Sequence, residues 1–306
     1  MDKRHIVITG IGGYVGSAVA RQFVAEGLEV AGIGHDDNFP ILEKYFGDSG
    51  KLVAGDITDE KKLREAFQGM DAVIHTASPT TEKFCTEKPW EAFQTIIYGT
   101  RAVRNVVQEL KIPLLIHLST QAVYMNFKPR ELPLTEEMEP RPDTVYGALK
   151  FAAEIELVNV PVVILRPANI YGKNPLGIER ENVIVRFIAA VKKGDPLIIK
   201  GDGLQRADYI HVNDVVSVVK KLILGIHPES FPMIYNVGSG VSRSIQEIAD
   251  VVMNMAKEKG LKVPALTYQQ SNDRVAVDRV LSPNRVQALF PDFPGVLFEE
   301  GVREMF

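Results

Sequence analysis

Short apolar segments alternate with helical segments along the first half of the chain. The apolar segments lack polar alternation, and six of them are predicted strands: His5–Thr9, Glu29–Ile33, Lys51–Ala54, Ala72–His75, Pro113–Leu118 and Pro161–Leu165. Between them lie segments that we predict to be helices: Tyr14–Glu26, Glu60–Gln68, Trp90–Leu110 and Val145–Val158. This order is typical of a parallel sheet covered on both faces. We therefore predict an α/β fold with a doubly wound parallel sheet.

The pattern becomes less regular after about Ile170. Segments rich in Gly, Pro, Asp and Asn predict loops over Gly172–Gly177 and Gly194–Gly203. Helices are predicted between and after them, at Asn182–Lys193, Asn213–Leu224, Arg243–Lys257 and Asn284–Phe290. We predict a dinucleotide-binding domain over 1–170, to which about 208–236 returns, and a smaller C-terminal substrate-binding lobe over 171–306.

A glycine-rich turn follows the first predicted strand. In Thr9–Gly16 the order is strand, glycines and helix start, which is the context of a dinucleotide-binding fingerprint. Gly10 permits the tight turn, Gly13 lets the backbone approach a pyrophosphate, and Gly16 lets the helix pack closely. Backbone N–H groups and the helix dipole then bind the phosphates.

The tip of the second strand bears on the choice between NAD and NADP. An acidic residue at this position usually binds the adenosine ribose of NAD. Here the position is Gly34, followed by His35, and Asp36 comes later. Without a carboxylate at the tip a 2′-phosphate is not repelled, and His35 could donate to it, which slightly favours NADP. Alternatively, the loop could bring Asp36 back to the ribose of NAD.

Tyr146 and Lys150 are the strongest catalytic candidates. Four residues apart at the start of a predicted helix, they share one face. A neighbouring ammonium favours the phenolate and lowers a phenol pKa that is otherwise about 10. Such a tyrosine can move a proton to or from a carbinol. Tyr124 and Lys128 have the same spacing, but Pro129 favours an extended conformation at Lys128, so we predict a loop there.

Composition excludes several other function classes. The 306 residues are 45% hydrophobic with a net charge of −4, which gives no general attraction to nucleic acid or anionic membranes. No apolar run approaches the roughly 20 residues that span a bilayer. Cys85 is the only cysteine, which fits a reducing cytoplasm. The six histidines form no metal-ligand spacing, so we predict no metal.

With these motifs, the chain resembles the extended short-chain dehydrogenase/reductases, and among them the NAD-dependent epimerase/dehydratase family that acts on nucleotide sugars. The resemblance covers nearly the whole chain. It rests on ordered motifs at Thr9–Gly16, Gly55–Asp59, His75–Ser78, Leu118–Tyr124, Leu132–Glu137, Tyr146 with Lys150, Leu165–Gly172, Asp208–Asp214 and Tyr235–Gly240. It implies a Rossmann-type doubly wound sheet with a smaller C-terminal substrate-binding lobe.

The resemblance also implies roles for individual residues. Thr120 would be the catalytic hydroxyl, Tyr146 the acid/base, and Lys150 the residue that binds the nicotinamide ribose. The expected cofactor contacts are Gly10, Gly12, Gly13, Tyr14, Val15, Gly16, Gly34, His35, Asp36, Asp56, Ile57, His75, Ala77, Ser78, Leu118, Tyr146, Lys150, Pro167 and Ile170. The expected substrate contacts are Ser78, Thr80, Thr120, Gln121, Asn169, Asn182, Arg206 and Arg274.

Three departures from the family pattern narrow the expected reaction. Family dehydratases carry Asp-Glu after the catalytic threonine, where this chain has Gln121 and Ala122, so a 4,6-dehydratase is disfavoured. The family arginine that grips the nucleotide diphosphate is replaced by Ala207, which leaves Arg206 and Arg274 as candidates. The helix that begins near Tyr146 is short, which weakens the expectation of a homodimer that the family resemblance implies.

The leading prediction is an NAD(P)-dependent epimerase or ketone/alcohol oxidoreductase that acts on a nucleotide sugar. One alternative is a dehydrogenase of a small non-nucleotide alcohol or ketone, suggested by Ala207. Another is a cofactor-binding regulator without turnover. The set of Thr120, Tyr146 and Lys150 argues against a regulator, because a sensor has no need for a proton donor.

Overall fold

The fold was analysed in a computed structural model. It describes residues 4–46, 50–79, 81–124, 131–174, 177, 182–225, 233–270 and 278–306, without the side chain of Asp36. Four residues named in the sequence predictions, Thr80, Lys128, Pro129 and Arg274, lie outside the described residues.

Within the described residues, twelve strands form three sheets. In chain order they are β1 (His5–Thr9), β2 (Glu29–Gly34), β3 (Gly50–Ala54), β4 (Ala72–His75), β5 (Leu114–Leu118), β6 (Val162–Pro167), β7 (Asn169–Tyr171), β8 (Leu197–Lys200), β9 (Arg206–His211), β10 (Met233–Val237), β11 (Ser242–Ser244) and β12 (Leu266–Gln269). The central sheet is parallel in the order β10-β6-β5-β4-β1-β2-β3. The predicted doubly wound parallel sheet is confirmed.

Helices cover both faces of the central sheet. They are α1 (Tyr14–Ala25), α2 (Phe39–Phe46), α3 (Glu60–Phe67), α4 (Glu82–Glu87), α5 (Pro89–Phe93), α6 (Gly99–Glu109), α7 (Val145–Glu156), α8 (Val183–Lys193), α9 (Val212–Gly225), α10 (Ile245–Glu258), α11 (Asn284–Leu289) and α12 (Phe298–Met305). Apolar residues of α1 and α9 pack on one face, and those of α3 and α6 pack on the other. No helix within the described ranges is long and apolar enough to span a bilayer.

The second lobe has its own core and two small sheets. Strands β11, β9 and β7 form one sheet, and β12 pairs with β8 in the other. A separate apolar cluster joins α8, α10 and α12. The chain then contributes β10 to the edge of the central sheet beside β6, so the two parts of the protein are linked by strand pairing as well as by chain connections.

Most predicted elements of the first half occur with small shifts of their ends. The bounds of β1 and β4 agree with the predictions, whereas β6 continues to Pro167 instead of ending at Leu165. The predicted helix Trp90–Leu110 is three consecutive segments, with a π-helical stretch at Gln94–Tyr98 between α5 and α6. Helices α2, α4 and α12 and the short strands of the second lobe were not predicted from the sequence.

The strand order reverses between β1 and β4, where an α/β sheet opens a crevice at the carboxyl ends of its strands. At this point the backbone of the turn after β1 lies directly against the backbone of the loop after β4. Gly10 has a φ of +68°, and a Cβ on it would lie 2.7 Å from the Ala77 Cα. A Cβ on Gly16 would lie 2.3 Å from the Gly10 carbonyl oxygen and 2.9 Å from the Thr76 Oγ1. Glycine is therefore required at both positions by close packing.

Replacing Gly16 with alanine should destabilise the protein although alanine is the better helix former. The added methyl would overlap the Gly10 carbonyl, and overpacking typically costs about 1–3 kcal/mol. Gly225→Ala is the matched control, because a Cβ there meets nothing within 4 Å. Urea unfolding should show a loss of about 1–3 kcal/mol for the first variant and a change within about 0.5 kcal/mol for the second. Equal stabilities would contradict the packing argument.

Candidate functional site

The turn between β1 and α1 has the geometry of a phosphate-binding site. Gly13 is the N-cap of α1, and no described side chain caps the helix start. A Cβ on Gly13 would lie 3.1 Å from the Gly10 carbonyl oxygen. The turn is therefore compact, and Gly13 places no side chain in it. Uncapped N–H groups at a helix N-terminus attract anions, and the glycines let a phosphate approach them. This part of the chain therefore fits a dinucleotide cofactor.

Other residues of the turn connect it to neighbouring elements. The Tyr14 hydroxyl donates to the Gly172 carbonyl at 2.7 Å, which joins the turn to the segment after β7. Val15 is buried in the core. The Gly12 carbonyl accepts from the Asn38 side-chain amide at 2.8 Å. The Tyr14 hydroxyl and the Val15 side chain therefore anchor the turn to the segment after β7 and to the core.

The predicted adenosine contacts lie at the tips of β2 and β3. Gly34 is buried at the end of β2, and His35 is exposed directly after it. The Asp56 Oδ1 accepts from both the N–H and the hydroxyl of Thr58 at 2.8 Å, so this carboxylate stabilises its own turn. Ile57 is buried and lies against Gly99. The structure thus brings these residues to one edge of the sheet.

The loop after β4 forms the other wall of the crevice. Ala77 faces Gly10, and the Ser78 hydroxyl donates to the Pro79 carbonyl at 2.9 Å. His75 differs from its predicted role as a cofactor contact. Its ring is buried, with Nδ1 2.7 Å from the Thr9 hydroxyl and Nε2 3.0 Å from the Thr100 hydroxyl.

Both ring nitrogens of His75 are therefore already paired and are not available to a cofactor. Burial, with a smaller contribution from the Lys150 charge, lowers the pKa of His75 to about 3, so the ring is neutral. It braces β1 against α6 behind the crevice.

Tyr146 and Lys150 lie in the first two turns of α7. Thr144 caps the helix by accepting from the Gly147 N–H at 3.0 Å. Gly147 also lets the helix pack closely, since a Cβ on it would lie 2.5 Å from the Ala122 carbonyl oxygen. The start of α7 is therefore pressed against the segment that follows Thr120.

Lys150 is almost fully buried. Its ammonium donates to the Leu118 carbonyl at 2.7 Å, two residues before Thr120. Burial lowers the pKa of Lys150 to about 8, while the charge of Glu154 and the Cys85 thiol oppose this shift. The Thr120 side chain is half-buried, and its Oγ1 accepts from the Ala122 N–H at 3.1 Å. Helix α7 and the end of β5 are thus joined by the Lys150 ammonium, two residues before Thr120.

Pro167 and Asn169 follow the neighbouring strand end. Pro167 closes β6, and Asn169 opens β7 with its side-chain amide donating to the Asp208 carbonyl at 3.1 Å. Ile170 belongs to the buried core, whereas Leu118 is only partly buried. The Asn169 side chain therefore adds a bond between β7 and β9, and the Ile170 side chain packs in the core.

The predicted substrate residues are less concentrated. The Asn182 side chain caps α8 by accepting from the Val185 N–H. Arg206 is fully engaged within the second lobe, because its guanidinium donates to the Glu247 carboxylate at 2.8 and 2.9 Å and to Ser242. Gln121 is buried next to Thr120, and its Oε1 has no hydrogen-bond partner among the described residues.

Arg279 is a candidate that the sequence analysis missed. It forms a parallel β-bridge with Ala207, the position where the family pattern expects an arginine. Burial lowers the pKa of Arg279, and the neighbouring charge of Asp143 opposes the shift. Asp143 lies two residues before α7, and its Oδ1 is buried without a partner in the described part of the chain. The distant strand segment around 279 gave no motif that would have identified it.

Glu82 was also missed. Its carboxylate accepts from the N–H groups of Val145 and Tyr146 at 3.2 and 3.3 Å. The residue belongs to α4, directly after the loop that contains Ser78. It therefore adds a second cap, and a negative charge, to the N-terminus of the helix that carries Tyr146 and Lys150. Across the described ranges, no three His, Cys, Asp or Glu side chains are grouped so as to hold a metal ion.

Comparisons with known proteins agree with this geometry. The chain is 27% identical to UDP-N-acetyl-alpha-D-glucosaminuronate decarboxylase of Bacillus cytotoxicus, over 99% of this chain and 96% of that protein. It is 29% identical to dTDP-D-glucose 4,6-dehydratase of Mus musculus, over 68% of this chain and 59% of that protein. The solved structure of Thermus thermophilus UDP-glucose 4-epimerase in complex with NAD superposes with a TM-score of 0.78 at 25% identity, covering 98% and 97% of the two chains.

The match to a family model confirms the predicted resemblance. Residues 6–238 match the model described as the NAD dependent epimerase/dehydratase family. This range extends from β1 to the loop after β10, and it includes the glycine turn, Thr120, Tyr146 and Lys150. The chain belongs to the NAD dependent epimerase/dehydratase family.

Proposed function

We propose that this protein is an NAD(P)-dependent epimerase that acts on a nucleotide sugar. The observation that carries the proposal is the attachment of α7 to the end of β5 through the Lys150 ammonium and the Leu118 carbonyl. It holds Lys150 at the end of β5, two residues before Thr120, on the helix that also carries Tyr146. The similar proteins named above act on sugars linked to UDP or dTDP.

When bound, the nicotinamide supplies hydride exchange with a carbinol carbon. The residues of the chain orient the substrate and move the proton. Lys150 places a positive charge near the Tyr146 phenol and so stabilises the phenolate. Tyr146 accepts the hydroxyl proton during oxidation and returns it during reduction, while Thr120 donates a hydrogen bond to the reacting oxygen. Re-reduction on the opposite face of the ketone inverts the carbon.

The residues after Thr120 separate this reaction from dehydration. Elimination of water from a keto sugar needs an acid and a base near the carbon that loses the hydroxyl. Gln121 and Ala122 occupy those positions, and neither titrates. The Gln121 amide is buried, and its Oε1 has no partner among the described residues, so this side chain supplies neither the acid nor the base of an elimination. We therefore favour an epimerase over a 4,6-dehydratase.

Tyr146→Phe should lower turnover of a responsive nucleotide sugar by about 10²–10⁴-fold, because the proton acceptor is removed. Cofactor affinity, measured by calorimetry, should stay close to that of the wild type. Tyr45→Phe is the control, since Tyr45 is an exposed residue of α2. Products of a panel of UDP and dTDP sugars, including uronic acids, would be separated by chromatography. Full turnover by Tyr146→Phe would refute the assigned role. Release of carbon dioxide from a uronic acid would show that the enzyme is a decarboxylase and not an epimerase.

We further propose that Arg279 binds the substrate diphosphate in place of an arginine at position 207. Adjacent positions on two paired strands occupy neighbouring space, so a side chain from residue 279 can serve the region beside Ala207. Arg206 is unsuited to this role, because a phosphate would have to displace Glu247 and Ser242 from its guanidinium. An arginine fork matches a diphosphate well.

Arg279→Met should raise the KM for the nucleotide sugar by about tenfold or more, because one charge-assisted hydrogen bond contributes about 1.5–3 kcal/mol. Its kcat should change little, since this contact is made equally in the ground and transition states. Arg206→Met is the matched comparison and should leave the KM within about threefold, at some loss of stability. Inhibition by UDP should weaken in parallel with the KM.

The same experiment separates the second candidate function. A dehydrogenase of small non-nucleotide alcohols would have no diphosphate site. UDP would then fail to inhibit the wild type, and neither arginine variant would change the KM. An effect of Arg206→Met alone would assign the diphosphate to Arg206 instead.

The preference between NAD and NADP is set at the tip of β2. A solved family neighbour contains NAD, whereas Gly34 leaves this chain without a carboxylate at the tip. We propose that the site accepts NADP at least as well as NAD. A side chain fits at Gly34, because a Cβ there lies 3.8 Å from the nearest atoms.

Gly34→Asp should therefore weaken NADP binding by about tenfold or more, through repulsion of the 2′-phosphate, while NAD binding is retained or improved. Calorimetric titration with both cofactors measures the ratio. If NADP does not bind the wild type, or if the variant leaves the ratio unchanged, the assignment of this tip to the ribose is wrong.

The homodimer and the cytoplasmic location stay predictions. The helices on which the family dimer is expected carry exposed apolar side chains, Trp90 and Tyr98 on one segment and Ile155 on α7. These side chains favour self-association of that face. Sedimentation equilibrium measures it directly.

A further inference from the structure

An ion pair is buried beneath the catalytic helix. Arg166 on β6 donates to both oxygens of the Glu154 carboxylate on α7, at 3.0 and 2.6 Å. Their side chains are only 3% and 4% exposed. A buried ion pair is often no more stabilising than apolar residues of the same volume. Its position relative to Lys150, one helical turn away, suggests a role in the site.

Glu154 also holds the strand that leads to Thr120. The Ser119 hydroxyl donates to the Glu154 Oε1. Lys150, four residues earlier on the same helix face, donates to the Leu118 carbonyl at 2.7 Å. Two consecutive residues of the chain are therefore bound to two consecutive turns of α7. Thr120 follows Leu118 and Ser119 directly, so these two bonds together fix its position relative to α7.

Arg166 extends the same attachment to a third element. Its Nη1 donates to the Tyr124 hydroxyl at 2.6 Å, and its guanidinium lies 4.8 Å from the centre of the Tyr124 ring. The Tyr124 hydroxyl in turn donates to the Asn236 side chain on β10 at 3.0 Å. Arg166 directly precedes Pro167 at the edge of the proposed nicotinamide site. The pair thus joins α7, the end of β5 and the end of β6.

The charges around Lys150 also indicate that Glu154 acts on this residue. Burial lowers its pKa, and Glu154 is the strongest of the groups that raise it. Two histidines and the cysteine near the amine are neutral at neutral pH, and the positive charge of Arg166 is paired with Glu154 itself. His75 on β4 and His117 on β5 have pKa values lowered by burial, and burial raises the pKa of the Cys85 thiol on α4 to about 11. Glu154 is therefore the main source of negative charge beside the ammonium.

We propose that Glu154, clamped by Arg166, is a positioning residue that keeps Lys150 charged and holds it in register with Thr120. The inference rests on the proposed role of Tyr146 and Lys150. If so, the charge of Glu154 raises the proton affinity of the Lys150 amine in addition to stabilising the fold.

The test is a pH titration of the Lys150 side chain by NMR in protein labelled with carbon-13 at lysine Cε, with Lys150→Arg to assign the resonance. Glu154→Gln keeps the shape of the carboxylate and removes its charge. Its Lys150 resonance should titrate about one pH unit lower than in the wild type, a tenfold change in proton affinity. The alkaline limb of kcat/KM should shift in the same direction, because proton transfer needs the ammonium.

Glu156→Gln is the matched control. Glu156 lies on the same helix and pairs with Arg101 and Arg104, away from the site. It should leave the titration of Lys150 and the pH profile unchanged. Should Glu154→Gln fail to fold, Glu154→Met combined with Arg166→Met removes both charges without leaving one unpaired. That double variant should fold and show a downward shift smaller than that of Glu154→Gln, because the positive charge of Arg166 is removed as well.

Two outcomes overturn the proposal. In one, Lys150 titrates alike in the wild type and in Glu154→Gln, or in the double variant. In the other, Glu156→Gln shifts it as much as Glu154→Gln does. The titration needs no substrate, so absence of turnover with every nucleotide sugar would refute the proposed function and leave this test intact.

Discussion

The burial of the Lys150 ammonium is the interaction on which the site depends. Removing an ion from water costs several kcal/mol even after the protein relaxes. The chain offsets part of this cost with the Leu118 carbonyl and the Glu154 carboxylate. Because the amine sits on α7 and its acceptor sits on β5, the same bond that solvates the charge also locks the helix to the sheet. Position and charge are therefore set together.

Bare backbone contacts make this arrangement possible in both halves of the site. Gly10 and Gly16 let α1 and the loop after β4 meet at the strand crossover, and Gly147 lets α7 rest on the Ala122 carbonyl. In each case a single Cβ would push an element away from the strand ends by several tenths of an ångström or more. Glycine at these contact points is what allows the backbones to approach this closely.

The sequence was informative where the signal is local. The bounds of β1 and β4 were predicted because an apolar run of four or five residues, bounded by polar residues or glycine, specifies a buried strand. The helices α8, α10 and α11 of the second lobe were predicted close to their observed bounds. Its strands were not predicted, because strands of three or four residues such as β7 and β11 exist through pairing with distant segments. The hydrogen bonding of the His75 ring was not predictable for a related reason. Only the fold shows that Thr9 and Thr100 already occupy its two nitrogens.

Arg279 illustrates the limit of comparing motifs position by position. The pattern around Ala207 suggested that an arginine had been lost, and Arg206 was the nearest substitute along the chain. In the fold, Arg206 belongs to Glu247, and the residue beside Ala207 comes from 72 positions downstream through a single β-bridge. A diphosphate is recognised by charge at a place in space, and that charge can come from either strand of a pair. An apparent loss in one strand is therefore best judged together with its neighbour.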